Sequence, residues 1–483
     1  MVDPRLKLLL VLVVGAVLRL LLVHARLPVL LTHRNELTSP LSSWQRLQEG
    51  YHLFTRLGLN PYAAGSFHAP PLLLACLGPF SDSATVNEGW SYAVWTLADL
   101  VIAWAVARLA ERRRRSVVLE EDGERRWSGA KIAAMSVDPK NFSLFEASKL
   151  NVDLRRSYLL HPFSVATTLA RSSTVFSNLF LALALESAVA GSLLSSVFLL
   201  SLATHLSLYP ILLLPPLLIF AHHMRSPNGA RRSLKSDAAR GALAFVAHQA
   251  LLLGASRWLT GSWDFISSVY GVILIIPDLT PNIGVAWYFF IEMFDHFRSF
   301  FLVVFALHPI VYVAPLTYFY RKDALFAIVL LVGSLSLLKS YPTLGDYALW
   351  HALLGCYSEL QPCSSRSVSF EIVAPTDIPS HSFLFLPAPL DGPTCRTDVS
   401  SPLFHTLLPL YALFLLPTFH HLWLYSGSGN SNFFYASTLV WAIAMGGCAL
   451  EAMGAWGKRE VVLKLGKEGR DRVRKGQWGV VQR

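Results

Sequence analysis

The sequence predicts an all-α protein: a polytopic membrane helical bundle of about 10–12 spans, some of them short or re-entrant. Three observations carry this. Of 483 residues, 53% are apolar or aromatic and only 15% are charged, against about 25% charged in soluble domains. The apolar residues gather into blocks approaching the roughly 20 residues that cross a bilayer. The formal charge of +10 is concentrated in a few loops and the C-terminal tail, the layout expected where Lys and Arg flank spans on the cytoplasmic side. The same features exclude other classes. A chain with 13 Trp, 16 Tyr and 29 Phe at low charge density is not disordered. Five cysteines without a CxxC pair form no disulfide framework. Basic residues confined to span-flanking loops do not make a nucleic-acid surface.

The first apolar run, Leu8 to about Leu31, exceeds a signal-peptide core and is followed by no small-x-small cleavage site, so it reads as a retained span. Arg19 near its middle must face other helices or snorkel. Residues 32–68 form a polar first loop, expected to be luminal. Within it Trp44, Leu47, Tyr51, Phe54 and Leu57 recur at helical spacing, which suggests an amphipathic helix in the membrane interface. Pro70-Pro71 then opens an apolar stretch of about ten residues, too short to span. The second clear span covers Trp90–Leu109, where Asp99 needs an interior partner. A charged loop follows over 111–157, opening with Arg112–Arg115.

Further spans are expected at Leu159–Leu169, Val175–Val189, Leu193–Phe220, Ala242–Leu259, Phe265–Ile276, Val285–Phe297, Phe300–Tyr320, Leu325–Leu338 and Leu344–Leu354. Many contain Pro, Ser or Gly, and broken helices persist in a bilayer only where protein or a water-filled cavity covers the backbone. The membrane helical domain thus occupies 1–354. Residues 355–401 are rich in Ser and Pro and hold three of the five cysteines. They read as an irregular insert, either functional or foreign to the mature coding sequence, and are assigned no chemistry. Two C-terminal membrane helices occupy 402–457, with a basic tail over 458–483. The basic segments 111–132, 225–240 and 458–475 favour the cytoplasmic side, whereas Asn141-Phe142-Ser143 could accept a glycan only if its loop were luminal.

Three constellations could carry chemistry. Glu292, Asp295 and His296 are spaced to share one helical face. A bundle metal centre would need a matching motif on another helix. None occurs, so no metal is assigned and the face is read as polar toward a cavity. Lys339 and Asp346 flank Pro342 and Gly345 between apolar runs; Lys339 could contact a lipid phosphate, or the two could form an ion pair. In Gly427-Ser428-Gly429-Asn430-Ser431-Asn432-Phe433-Phe434-Tyr435, small residues turn the chain at a span end, two carboxamides offer donors and acceptors, and three aromatics follow. Carboxamides suit phosphate or sugar hydroxyls, and aromatic faces suit the apolar side of sugar rings; the alternative is an interfacial turn with an aromatic belt. No nucleophile elbow or nucleotide-binding loop is present.

Several stretches together resemble the PIG-U family, a subunit of the GPI transamidase. They are Ser39–Trp44, Asn60-Pro61-Tyr62, Phe67-His68, Ser207–Pro210, Ser262–Phe265, Pro277–Gly284 with Trp287–Phe290 and Glu292–Phe294, Lys339–Asp346 and Asn430–Ala436. They occur in the family's order and cover most of the chain. The resemblance implies a multi-pass endoplasmic reticulum membrane protein whose fold is similar to membrane-embedded GT-C-like glycosyltransferases. It implies no catalytic residue, no cofactor and no metal. The implied partners are the GPI lipid, the membrane, and other transamidase subunits including the caspase-like catalytic one. The implied role is to recognise or position GPI for attachment to proprotein C-termini. Lipid contact is expected at Asn430, Asn432, Phe433, Phe434 and Tyr435, with Asp278, Asn282, Glu292, Lys339 and Asp346 as cavity candidates. Two departures are the 355–401 segment, more polar than the family pattern, and 111–157, which carries no family motif. The alternative is a dolichol-phosphate-mannose-dependent mannosyltransferase, but such enzymes pair acidic residues in the first luminal loop. Here that loop has only Glu36 and Glu49. A transporter would show internal repeats, and none is evident.

Overall fold

The computed structural model describes residues 4–63, 65–81, 88–121, 158–225, 233–357, 360 and 408–465. The protein is an all-α polytopic membrane bundle. In chain order its helices are α1 (Pro4–His24), α2 (Leu27–Leu31), α3 (Trp44–Thr55), α4 (Pro71–Leu77), α5 (Glu88–Glu121), α6 (Pro162–Leu169), α7 (Thr174–Val189), α8 (Leu193–Ser207) and α9 (Leu214–Arg225). They continue as α10 (Leu234–Thr260), α11 (Val272–Ile275), α12 (Ala286–Glu292), α13 (Asp295–Val311), α14 (Val313–Phe319), α15 (Ala324–Leu338), α16 (Leu344–Gly355), α17 (Leu408–Leu424) and α18 (Ser431–Lys464). Among the described residues four helical stretches are long and apolar enough to cross a bilayer, at 89–117, 234–260, 295–319 and 431–464.

At the centre lies α15. Its sequence, ALFAIVLLVGSLSLL, is apolar on every side, and a helix of that kind must be enclosed. Accordingly Leu325 through Val332 are all buried, and α9, α13, α14, α16 and α18 pack around it. With 15 residues it reaches only about 22 Å, short of the roughly 30 Å hydrocarbon core. Enclosure makes this harmless, because protein rather than lipid meets its ends. Conversely, α10 and α13 turn Leu243, Leu251, Trp258, Phe300 and Val303 outward, as lipid-facing spans do.

Arg19 and Asp99, the charges in the first two expected spans, find partners. Arg19 of α1 and Asp99 of α5 form an ion pair, each no more than 1% exposed. Tyr158 (2.8 Å), Ser164 (2.8 Å) and Thr168 (3.0 Å) donate to the Asp99 carboxylate, while Arg19 also donates to the Leu159 carbonyl at 2.9 Å. Arg19 therefore faces the interior and does not snorkel. A second buried pair, Arg113–Asp323 at 3.5 Å, joins α5 to the turn before α15, with the Tyr357 hydroxyl donating to Asp323 at 2.9 Å.

Several expected boundaries move. The first run is not one span: α1 and α2 are separated at Arg26, which adopts a left-handed φ of 59°. The stretch expected as one span over Leu193–Phe220 breaks into α8 and α9 at Leu208 and Pro210. The helix expected at Val285–Phe297 also breaks. Met293 and Phe294 are extended (ψ 140° and 136°), so Glu292 ends α12 while Asp295 begins α13; Glu292, Asp295 and His296 do not share a helical face. The charged loop begins later than 111, because α5 continues through Arg112–Arg115 to Glu121, with Arg113 drawn inside by Asp323. The tail begins later than 458, since α18 extends to Lys464. Cys356, Tyr357 and Leu360, at the start of the proposed insert, are buried core residues. Asn141 and residues 361–407 lie outside the described residues.

Helix α3 is present, but its apolar stripe turns into the protein. Trp44 packs edge-on against Trp95 at 5.0 Å, which meets Phe176 at 4.8 Å, and only Phe54 and Leu57 remain exposed. The bundle has two distinct ends. The ends of α5, α9 and α18 and the Arg321–Asp323 turn gather Arg112–Arg115, Arg225, Arg321, Lys322 and Lys458 at one. The other carries the first loop, the 277–284 and 339–344 loops and the α17–α18 turn.

Candidate functional site

The α17–α18 turn is built by its small residues. Gly427 takes a left-handed φ of 61°, and the amides of Ser428 and Gly429 both donate to the Leu422 carbonyl at 3.0 and 3.1 Å. Asn430 then caps α18: its Oδ1 accepts from the amides of Asn432 (3.1 Å) and Phe433 (3.4 Å), satisfying donors that a helix start leaves open. The Asn432 Oδ1 accepts from the Tyr288 hydroxyl of α12. One turn on, the Tyr435 hydroxyl donates to the Val285 carbonyl at 3.1 Å, and its ring lies 4.6 Å from that of Tyr288.

These contacts clamp α18 to α12 and leave an open groove of about 390 Å³ beside them. Its walls are aromatic, including Phe289, Phe297 and Phe301, and its polar groups are Tyr288, Glu292 and Tyr435. Asn432 stands at the rim through its bond to Tyr288. Such a groove can take apolar chain against the rings and hydroxyl or phosphate oxygens at the rim.

The expected residues divide into four groups. Tyr435 and Glu292 line the groove, and Asn432 adjoins it through its bond to Tyr288. Phe433 is exposed and stacks on Phe419 at 5.6 Å, beside Asn430. Phe434, expected at the lipid, is fully enclosed by Trp287 (5.9 Å), His420 (5.7 Å) and Trp423 (6.4 Å) and presents no surface to a ligand. Its role is to seat α18 on α17 and α12.

The remaining cavity candidates lie together elsewhere and are occupied by one another's loops. Lys339 pairs with Asp346 at 2.6 Å, and Asp346 also completes a capping box with Thr343 at the start of α16; the lysine charge is thereby committed to protein. Asp278 accepts from Arg46 of α3 at 2.8 Å and from Thr280. Burial raises its pKa, but the Thr280 and Arg46 hydrogen bonds outweigh this and hold it below the usual carboxylate value. Asn282 is 1% exposed and folds its own loop, accepting from the Gly284 amide at 2.8 Å. Gly284 is required there, since a Cβ would lie 2.8 Å from Pro342. Sequence reasoning missed Tyr288 as a site residue; its position in the aromatic run Trp287–Phe290 was the available signal. Glu36, the acid an enzyme would need first, is 4% exposed, with Arg34 at 3.6 Å as its ion-pair partner.

Beside Asp278 lies a pH-sensitive anchor. His68 donates from Nδ1 to the Ser268 carbonyl at 2.8 Å, tying the first loop to the turn after α10. Burial lowers its pKa below the ordinary 6.5, more than the Ser268 hydrogen bond and Asp278 raise it. The Nδ1–H bond survives protonation, but the buried ring disfavours the charge, so the stability contributed by the neutral ring is fully present above about pH 6.5 and falls as pH drops below it. Lowering the pH from 7 to 5 is expected to increase amide exchange of residues 62–69, and His68→Asn is expected to remove that pH dependence.

Comparison with known proteins bears directly on this arrangement. The chain matches the family described as GPI transamidase subunit PIG-U over residues 13–386 and 378–441. It belongs to the PIG-U family. Among curated PIG-U relatives, the human GPI-anchor transamidase component PIGU is 32% identical over 448 residues, covering 90% of each chain. The GPI transamidase component GAB1 of Saccharomyces cerevisiae is 31% identical over 415 residues, covering 85% of this chain and 84% of its own. The GAB1 homolog of Schizosaccharomyces pombe is 27% identical over 449 residues. Every site residue named here, from Asp278 to Tyr435, lies within the stretches matched to PIG-U. These relatives carry transamidase names, so the mannosyltransferase alternative gains no support.

Proposed function

We propose that this chain is a GPI transamidase subunit of the endoplasmic reticulum membrane that has no catalytic residue of its own. It holds the GPI lipid while a caspase-like partner subunit performs the chemistry. Family membership supports the subunit role. The observation that carries the lipid assignment is the groove between α12 and α18, with aromatic walls and a rim of Tyr288, Asn432 and Glu292. A lipid seated there keeps its acyl chains against aromatic carbons while its polar headgroup projects from the loop end of the bundle. Fixing one reactant beside the acyl-enzyme on a partner turns a bimolecular encounter into a local one, which is where the rate gain arises.

The test is GPI attachment to a reporter proprotein in cells carrying Asn430→Ser with Asn432→Ala. Serine preserves the α18 cap, whereas alanine would cost about 1 kcal/mol there, so the fold is retained while both amides are removed. Attachment is expected to fall about ten-fold, corresponding to one to two lost hydrogen bonds, with co-purification of the other subunits unchanged. Undiminished attachment would overturn the lipid contact and leave the subunit assignment standing.

A further inference from the structure

At the opposite end of the bundle, α9 and α14 both pack on α15 and border a groove of about 310 Å³. Pro215 and Ile219 form one wall; Val313, Ala314 and Tyr318 form the other. Nearly all of its lining is apolar, with two exceptions: the Thr317 hydroxyl and, at the mouth, Arg321.

Thr317 is the informative residue. A helical threonine usually donates to the carbonyl four residues back. Here the side chain is 9% exposed and its hydroxyl has no hydrogen-bond partner. A buried hydroxyl without a partner calls for an explanation, and in the lining of an open groove an incoming acceptor can supply it. Four residues on, at the same face, stands Arg321. Its guanidinium lies 4.6 Å over the Tyr318 ring and donates one bond to the Tyr318 carbonyl at 3.0 Å.

No carboxylate answers Arg321 or the neighbouring exposed Lys322 among the described residues. The nearest acid, Asp323, is committed to Arg113 and Tyr357. This contrasts with Lys339 at the other end, whose charge is already met by Asp346.

The dimensions indicate the occupant. Along α14 the groove follows about 9 Å of helix axis, from Val313 to Phe319, and Arg321 carries it beyond the helix end, within the roughly 15 Å depth of one leaflet's hydrocarbon. An apolar trough of that length, with an unpartnered hydroxyl in its lining, an arginine met by no carboxylate at its mouth and an exposed lysine next in sequence, has the polarity profile of a single glycerophospholipid. We infer that this groove is a binding site for one anionic glycerophospholipid of the leaflet at the basic end. Its acyl chain lies between α9 and α14, its glycerol ester accepts from Thr317, and its phosphate is met by Arg321 and Lys322. The site shares no residue with the α12–α18 groove and does not depend on what that groove binds.

The experiment uses the complex purified in mild detergent and depleted of lipid. Phosphatidylinositol, phosphatidylcholine or inorganic phosphate is then added back in separate arms, and retained molecules are counted by native mass spectrometry. One phosphatidylinositol is expected to remain bound, in preference to phosphatidylcholine. Arg321→Ala and Lys322→Ala are each expected to weaken that retention about five-fold, the effect of one basic residue near an anionic surface. Ala314→Phe, which fills the trough, is expected to abolish it while leaving the phosphate arm unchanged. Equal retention of both lipids, or retention insensitive to both charge variants, would mean annular lipid only and overturn the site. Binding of inorganic phosphate as tight as that of phosphatidylinositol would likewise overturn it, by showing an anion site without a lipid. Both charge variants lie on the exposed turn, so they remain decisive even if Ala314→Phe does not assemble.

Discussion

Asp99→Ala is expected to lower the stability of the folded protein by about 3–5 kcal/mol, enough to deplete it from cells. Removing one member of a buried pair leaves the other as an uncompensated charge, and that penalty exceeds anything the pair contributes when intact. Arg19 would be left within α1 at 0% exposure, retaining only the Gly15 and Leu159 carbonyls and the Ser164 hydroxyl. Tyr158, Ser164 and Thr168 would lose their common acceptor, although hydroxyl bonds between membrane helices are individually modest, on the order of 0.6 kcal/mol. The charge, rather than the hydroxyls, therefore sets the magnitude. It follows that Arg19→Met combined with Asp99→Leu should recover most of the loss, since apolar residues of similar volume often replace a buried pair without penalty. Thermal unfolding in detergent, followed by size-exclusion chromatography with fluorescence detection, separates the two variants. A double variant as unstable as Asp99→Ala would show that the hydroxyl network, and not the stranded arginine, is decisive.

Gly333→Val is the second large expected effect. Gly333 lies in mid α15, where α16 crosses closely enough that a Cβ would sit 2.4 Å from Trp350 Nε1 and 2.5 Å from its Cε2. Trp350 is itself 1% exposed and cannot swing away. Overfilling a closed interface typically costs about 1–3 kcal/mol, and a β-branched residue at a helix–helix contact belongs at the upper end. The α15–α16 seam is expected to open, with faster amide exchange in both helices and lower accumulation. Trp350→Leu should partly rescue Gly333→Val. No rescue would locate the clash in the backbone rather than the indole.

Much of this was legible in the sequence, for physical reasons that can be stated. The membrane class follows from composition, because the lipid interior tolerates few charges, and those it tolerates must be partnered. That logic required a companion for both Arg19 and Asp99, though not that each would satisfy the other across 80 residues. The α17–α18 turn was legible because glycine and asparagine side chains govern local geometry. The break at Met293-Phe294 was not: apolar residues with Glu292, Asp295 and His296 at helical spacing fit a continuous helix equally well, and the sequence does not show that Arg298 reaches across the break to the Phe290 and Ile276 carbonyls at 3.5 and 2.8 Å. Arg112–Arg115 misled for a related reason. A run of arginines reads as solvated loop until a distant acid, Asp323, supplies an interior partner for one of them. Phe434 and Phe433 are adjacent and chemically identical, and only the register of α18 against α12 decides which one faces outward.

The enclosure of α15 has a consequence for biosynthesis. Its wrapping is drawn from both halves of the chain: α9 comes long before it, whereas α18 begins nearly a hundred residues after it ends. During translation a helix apolar on all sides must therefore wait in the bilayer, partly unwrapped, until α18 emerges from the ribosome. Any polypeptide ending before α18 exposes that waiting surface to the cell's membrane quality control. α18 thus completes the wrapping of α15 seen among the described residues, and truncations that remove α18 are expected to be cleared as thoroughly as disruptions of the core.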